Sequence, residues 1–119
     1  MKIAVTSKGQ DLNAEVDPRF GRAAYIIIMD TDTQAFEVIN NAANKEAFKG
    51  AGIKAAASIC DKGAKILLTG FCGPNAFKTL EAADIKVAND AKGTIQNAID
   101  QYIAGKFEFA TAANVEGHW

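Results

Sequence analysis

Ile66-Leu67-Leu68-Thr69-Gly70-Phe71-Cys72-Gly73-Pro74-Asn75-Ala76-Phe77 reads as a strand that turns sharply into a helix. The apolar triplet suits a buried strand, and Gly70 to Gly73 make a tight turn. Pro74 fits the first helical position, where its missing N–H is not needed. Ala76, Phe77, Leu80 and Ala83 then form an inner helical face. Downstream, Ile85-Lys86-Val87-Ala88 alternates like a last, half-exposed strand, and Asn89 to Gly93 turn. Thr94 suits the cap of another helix, with the stripe Ile95, Ala98, Ile99, Tyr102 and Ile103 and Gly105 as its stop. Upstream, a helix from Gly52 carries Ile53, Ala56, Ala57 and Cys60 at the spacing of one buried face, and Gly63 ends it. Strands alternating with helices require a parallel sheet flanked by helices.

The first half makes that sheet mixed. Tyr25 to Met29 is continuously apolar and fits a strand covered on both faces. Asp30-Thr31-Asp32-Thr33 is a turn whose side chains bond their own backbone, and Phe36 to Ile39 return as the second arm of a hairpin. Ile3 to Val5 is a first strand. Residues 6–22 form a long loop broken by Gly9, Pro18 and Gly21, residues 40–49 a polar connection, and residues 106–119 a loosely held tail. The order β-loop-β-β-α-β-α-β-α predicts a single three-layer α/β/α domain over residues 1–105, with a mixed five-stranded sheet.

Composition narrows the function. In 119 residues, 13 Lys and Arg stand against 14 Asp and Glu, a formal charge of −1, so no dedicated nucleic-acid binder is expected. Two cysteines make no disulfide framework and point to a reduced, cytoplasmic protein. The longest apolar run, Ala23 to Met29, is too short for a bilayer, and no signal peptide is expected.

Four stretches could carry chemistry. Val16-Asp17-Pro18-Arg19-Phe20-Gly21-Arg22 sets two anion-binding guanidiniums around an aromatic. The bland alternative is a surface loop whose arginines pair with Asp11, Glu15 and Asp17. Gly50-Ala51-Gly52-Ile53-Lys54-Ala55 fits G-x-G-x-x-A but follows no strand directly, so the dinucleotide reading fails. What survives is a glycine-rich helix start with Lys49 and Lys54 nearby, able to hold an anion or to be a plain helix start. The turn from Thr69 to Asn75 lies where open α/β sheets hold ligands. There Gly70 and Gly73 would let a ligand approach, and Asn75 offers donor and acceptor. Cys72, near a helix N-terminus, is expected to have a lowered thiol pKa and could touch a metal, or be a half-buried turn residue. Cys60 reads as core. His118 could ligate a metal or cover a site, or be part of a disordered end. The chain has no P-loop, no CxxC, no HExxH and no workable Ser-His-Asp set, so catalysis is poorly supported.

Four segments occur in a familiar order: Met1 to Ser7, Asp17 to Ala23, Gly50 to Ala56 and Thr69 to Phe77. Together they resemble the dinitrogenase iron–molybdenum cofactor-binding family, which includes NifX and the C-terminal domain of NifB, over residues 1 to about 105. Among stand-alone members the resemblance in size is to the small orange proteins of sulfate-reducing bacteria, which hold a molybdenum–copper–sulfide cluster without covalent attachment. The resemblance implies a ribonuclease H-like motif without nuclease activity, and a non-enzymatic carrier of an anionic metal–sulfur cluster in a surface cleft. The cargo would be molybdenum–copper–sulfide or, alternatively, an iron–molybdenum-type cluster. Arg19 and Arg22 would supply countercharge, Gly50 to Gly52 and Gly70 to Gly73 amide donors, and Phe20 and Phe71 an apolar wall. Many relatives carry a His just before the glycine-rich helix. Here that stretch is Glu46-Ala47-Phe48-Lys49, which favours capture by charge and hydrogen bonds or a role for Cys72. The competing expectation is an interaction or regulatory module without cluster, working with a P-loop ATPase of the MinD/Mrp type. Neither nucleic acid nor membrane is an expected partner.

Overall fold

The computed structural model describes residues 1–41 and 50–110. The β-branched runs become β1 (Lys2–Ser7), β2 (Tyr25–Asp30), β3 (Phe36–Asn40), β4 (Ala64–Leu68) and β5 (Lys86–Ala88). The helical stripes become α1 (Ala51–Asp61), α2 (Pro74–Ala82) and α3 (Ile95–Ile103). The sheet order is β3-β2-β1-β4-β5. β1 runs antiparallel to β2 and parallel to β4, β2 antiparallel to β3, and β4 parallel to β5. This is the expected mixed five-stranded sheet between helical layers.

Alternation along each strand sorts the core into two layers. Ile3, Val5, Ile27, Met29, Ile66 and Leu68 pack under α3 with Ile95, Ala98 and Ile99. Ala4, Ile26, Ile28, Leu67 and Val87 face α1 and α2. A sheet covered on both sides explains why Tyr25 to Met29 shows no polar alternation. In the hairpin turn, Asp30 Oδ1 accepts the N–H groups of Asp32 (2.8 Å) and Thr33 (3.4 Å), and the first of these bonds leads in holding its carboxyl below the usual range.

The register gathers the candidate site loops at one edge. Ser7 pairs with Tyr25, and Tyr25 with Asn40. Val5 pairs with Leu68, and Leu68 with Ala88. The ends of β1, β3, β4 and β5 therefore lie together. The long loop after β1 and the turn into α2 both leave from that edge.

Three expectations need correction. The buried face of α1 is Ala51, Gly52, Ala55, Ala56 and Ile59, while Ile53, Ala57 and Cys60 are exposed. An alanine-rich helix offers two stripes at the same spacing, one residue apart. The stripe that drops Ile59 into the core and turns Gly52 inward wins. In α3, Ile103 lies in the last turn and is 62% exposed, beyond the buried stripe of Ile95, Ala98 and Ile99. The described part of the tail, residues 106–110, is also held. Ala110 N–H donates to Val87 O (2.7 Å), and the Lys86 ammonium lies 5.3 Å from the Phe109 ring centre. Phe107 packs on the α3 layer and Ala110 on the other, so the segment wraps the β5 edge.

Candidate functional site

The loop after β1 is pinned to the sheet edge. Asp17 N–H donates to Thr6 O (2.9 Å), and Thr6 Oγ1 donates to Asp17 O (2.6 Å). Thr6 Oγ1 also lies 2.9 Å from Thr69 Oγ1. A hydroxyl has one proton, and the Asp17 carbonyl can only accept. Thr6 therefore spends its proton on Asp17, and Thr69 donates to Thr6. This buried chain joins the ends of β1 and β4 to the loop.

The next residues pair with the turn into α2. Phe71 N–H donates to Pro18 O (2.6 Å), Phe20 N–H donates to Phe71 O (3.0 Å), and Arg19 bridges Phe71 in a parallel sense. Arg22 N–H donates back to Arg19 O (3.2 Å), closing a turn around Gly21.

Two glycine contacts fix how close these segments come. A Cβ on Gly70 would lie 2.8 Å from Cα, Cβ and O of Pro18. Gly21 has φ 90°, and a Cβ there would lie 2.8 Å from both Cα and N of Gly52. The loop is thus wedged between the entrances of α1 and α2. The structure corrects the reading of Gly70 as room for a ligand, because Pro18 fills that room. Gly52 is likewise buried, under the loop.

Charge collects on this wedge. Arg19 is exposed and Arg22 half-buried. Asp17, only 5% exposed, accepts the Arg19 N–H at its Oδ1 (3.1 Å) and lies 3.8 Å from Arg19 Nε. Of the acidic partners considered for the loop arginines, the described ion pairs include Asp17 alone. Both adjoining helices have glycine N-caps, Gly50 at φ 76° and Gly73 in an extended conformation, so neither receives a side-chain cap. α3, by contrast, is capped by Thr94, whose Oγ1 accepts the Asn97 N–H (3.1 Å). Lys54 on the first turn of α1 and Asn75 on that of α2 are exposed.

The side chains expected to touch sulfur are rearranged. Phe20 is 1% exposed and belongs to the core, so it cannot wall a surface cleft. Phe71 is 39% exposed and keeps that possibility. Ile53, assigned to the core from spacing, is 42% exposed on the α1 turn next to Gly52. Cys72 is fully buried, and its Sγ–H points to Gly73 O at 3.7 Å. Burial pushes its thiol pKa up from 9.0 to about 12, the reverse of the lowering expected from the nearby helix end. Desolvation of the thiolate outweighs the helix dipole. Cys60 is exposed rather than in the core. Among the described residues no group of three or more His, Cys, Asp or Glu is placed to hold a metal ion. His118, Lys49 and the Glu46 to Phe48 stretch lie outside the described residues. Sequence reading also missed the Thr6–Thr69 pair, for which no local motif exists.

Fold and site together define a small α/β domain that presents a cationic loop clamped between two helix entrances. The chain belongs to the dinitrogenase iron–molybdenum cofactor family, whose model matches residues 1–105. It is similar to the orange protein of Desulfovibrio gigas, solved in its apo form, with 43% identity, a TM-score of 0.93 and 96% of each chain covered. A Thermotoga protein assigned as NifB shares 40% identity over 98% of each chain, with a TM-score of 0.83. A dinitrogenase-assigned protein of Methanocaldococcus jannaschii has the same fold at 16% identity and a TM-score of 0.68, with 94% of this chain and 96% of that one covered. No curated protein matches the sequence. Among the described residues no helix is long and apolar enough to cross a membrane.

Proposed function

We propose that this protein binds and carries an anionic, molybdenum-containing metal–sulfur cluster in the reduced cytoplasm, without catalysing a reaction. The observation that carries the reading is the clamped loop: Arg19 and Arg22 sit on a backbone fixed by Pro18 against Gly70 and by Gly21 against Gly52. Guanidiniums stay charged at any working pH, and a fixed backbone lowers the entropy cost of aiming them at a ligand. Lys54 and the amides at the entrances of α1 and α2 add to the favourable field for a negative charge. Cys72 is left out of direct ligation, because its sulfur is buried in the core cluster and does not reach the surface where the arginines stand. The reading takes the hold as non-covalent, by charge and hydrogen bonds. Family membership supports a molybdenum-containing metal–sulfur cargo, and only the likeness to orange protein puts the molybdenum–copper–sulfide kind ahead of the iron–molybdenum one in this reading.

The test is a visible spectrum with elemental analysis of protein purified anaerobically, beside apo protein incubated with tetrathiomolybdate with and without copper(I). Stoichiometric molybdenum with intense sulfide-to-metal charge-transfer bands is expected, strengthened by copper. The Arg19→Ala/Arg22→Ala double variant should lose the colour. Normal uptake by that variant, or a parent protein that takes up neither metal, would overturn the reading.

A further inference from the structure

The loss of Phe20 to the core leaves the apolar part of the site to other residues. Six large hydrophobic side chains stand exposed among the described residues: Met1, Phe36, Ile53, Phe71, Ile103 and Phe109. Met1 and Phe36 lie at the opposite end of the sheet, since Met29 pairs with both Ile3 and Phe36. Ile103 ends α3, and Phe109 lies along β5. Only Ile53 and Phe71 lie at the edge with the arginine loop. The Phe71 backbone is bonded to Pro18 and Phe20, and Ile53 follows Gly52, which abuts Gly21.

A single exposed isoleucine is ordinary on a protein surface; what sets Ile53 and Phe71 apart is that both stand at the end of the sheet that carries the arginine loop. Two such side chains at the end of the sheet that carries Arg19 and Arg22 suit a ligand that is anionic yet weakly hydrated. We infer that Ile53 and Phe71 are the specificity-determining contacts of this site, selecting sulfido anions over oxo anions of the same charge and shape. The inference rests on the cluster-binding reading above. Tetrathiomolybdate and molybdate are both tetrahedral dianions, and the guanidiniums attract both. Molybdate oxygens hold their water tightly, and pressing them against isoleucine and phenylalanine strips that water without replacement. Sulfido faces are large, polarisable and poorly hydrated, so the same contact removes apolar surface from water at little penalty.

The experiment is equilibrium dialysis of the full chain against tetrathiomolybdate and, separately, molybdate, followed by molybdenum analysis. The parent should bind the thioanion at least about tenfold more tightly. Ile53→Ser and Phe71→Ser should each weaken thioanion binding on the order of tenfold, the equivalent of roughly 50 Å² of apolar contact, and leave molybdate binding no weaker than the parent's. Ile53→Leu, which keeps the apolar surface on an exposed helical position, should retain the preference. Equal binding of both anions by the parent overturns the selectivity alone. So does unchanged thioanion binding in both serine variants, or equal weakening toward both anions. A parent that binds neither anion overturns the cluster-binding reading as well.

Discussion

Gly21→Ala tests whether the arginine loop and α1 meet backbone to backbone. Gly21 has φ 90°, and a Cβ there would lie 2.8 Å from Cα and N of Gly52 and 3.3 Å from the carbonyl carbon of Ala51. These are main-chain atoms, so no rotamer change can make room. Holding an alanine in a left-handed conformation costs roughly 1–2 kcal/mol. Forcing a methyl group into a filled contact costs roughly 1–3 kcal/mol more. Gly50→Ala is the matched control. Its φ is 76°, but nothing lies within 4 Å of the added Cβ, so only the conformational penalty applies. In a domain of this size each kcal/mol lowers Tm by roughly 4 °C. Gly21→Ala should therefore melt roughly 8–20 °C below the parent, and Gly50→Ala only roughly 4–8 °C below. Circular-dichroism melts and urea titrations measure both. Equal destabilisation of the two variants would refute the contact between loop and helix, and with it the fixed placement of Arg19 and Arg22.

Other outcomes follow from the same geometry. Thr6→Val leaves Asp17 O without its hydroxyl donor and Thr69 without an acceptor, at a cost of roughly 1–3 kcal/mol, whereas Thr6→Ser keeps both bonds. Urea midpoints that do not separate the two variants would count against the assigned proton chain. Native protein at pH 8 should react with a maleimide at Cys60 and be protected at Cys72 until unfolded, which mass spectrometry of the labelled peptides reads directly. The raised Cys72 pKa also predicts a pH dependence. Below pH 9 the thiol is protonated in both the folded and the unfolded chain and contributes no slope. Between 9.0 and about 12 the unfolded chain has lost that proton and the native chain has not. Stability should then fall by up to about 1.4 kcal/mol per pH unit from this group. Cys72→Ala should flatten that part of the urea-midpoint profile, and an unchanged slope would show that Cys72 is not its source.

The fold was readable because its signals are local. Gly63 at φ 82° and Gly105 at φ 74° stop α1 and α3, and Thr94 caps α3, each at the position the sequence marks. The hairpin turn is written in Asp30, whose carboxylate bonds its own backbone. What misled was phase. In α1 the stripes 53/56/57/60 and 52/55/56/59 have equal spacing, and alanine weights neither. The choice is made by Ile59 filling the core and by a glycine 31 residues upstream in the chain. The same limit placed Cys60 in the core and Ile53 away from the site.

The site was half readable, and for a related reason. Residue type marked Arg19, Arg22 and the glycines, because these are unusual choices for a plain loop. What each glycine is for depends on pairs such as Pro18 with Gly70 and Gly21 with Gly52, which no spacing rule reaches. A glycine in a turn reads as space held open for a ligand. Here the chain itself takes that space at Gly52 and Gly70, and the consequence is rigidity rather than access. Cys72 errs in the same direction. Proximity to a helix N-terminus argues for a thiolate only while the sulfur stays partly wet, and in the core cluster beside Phe20 the desolvation penalty exceeds what the helix end returns. Backbone packing therefore assigns Gly21, Gly52 and Gly70 to building the site. In the proposed reading, contact with a ligand falls to the groups that remain accessible around the loop, which are the arginines, Lys54, Asn75 and the two exposed apolar side chains.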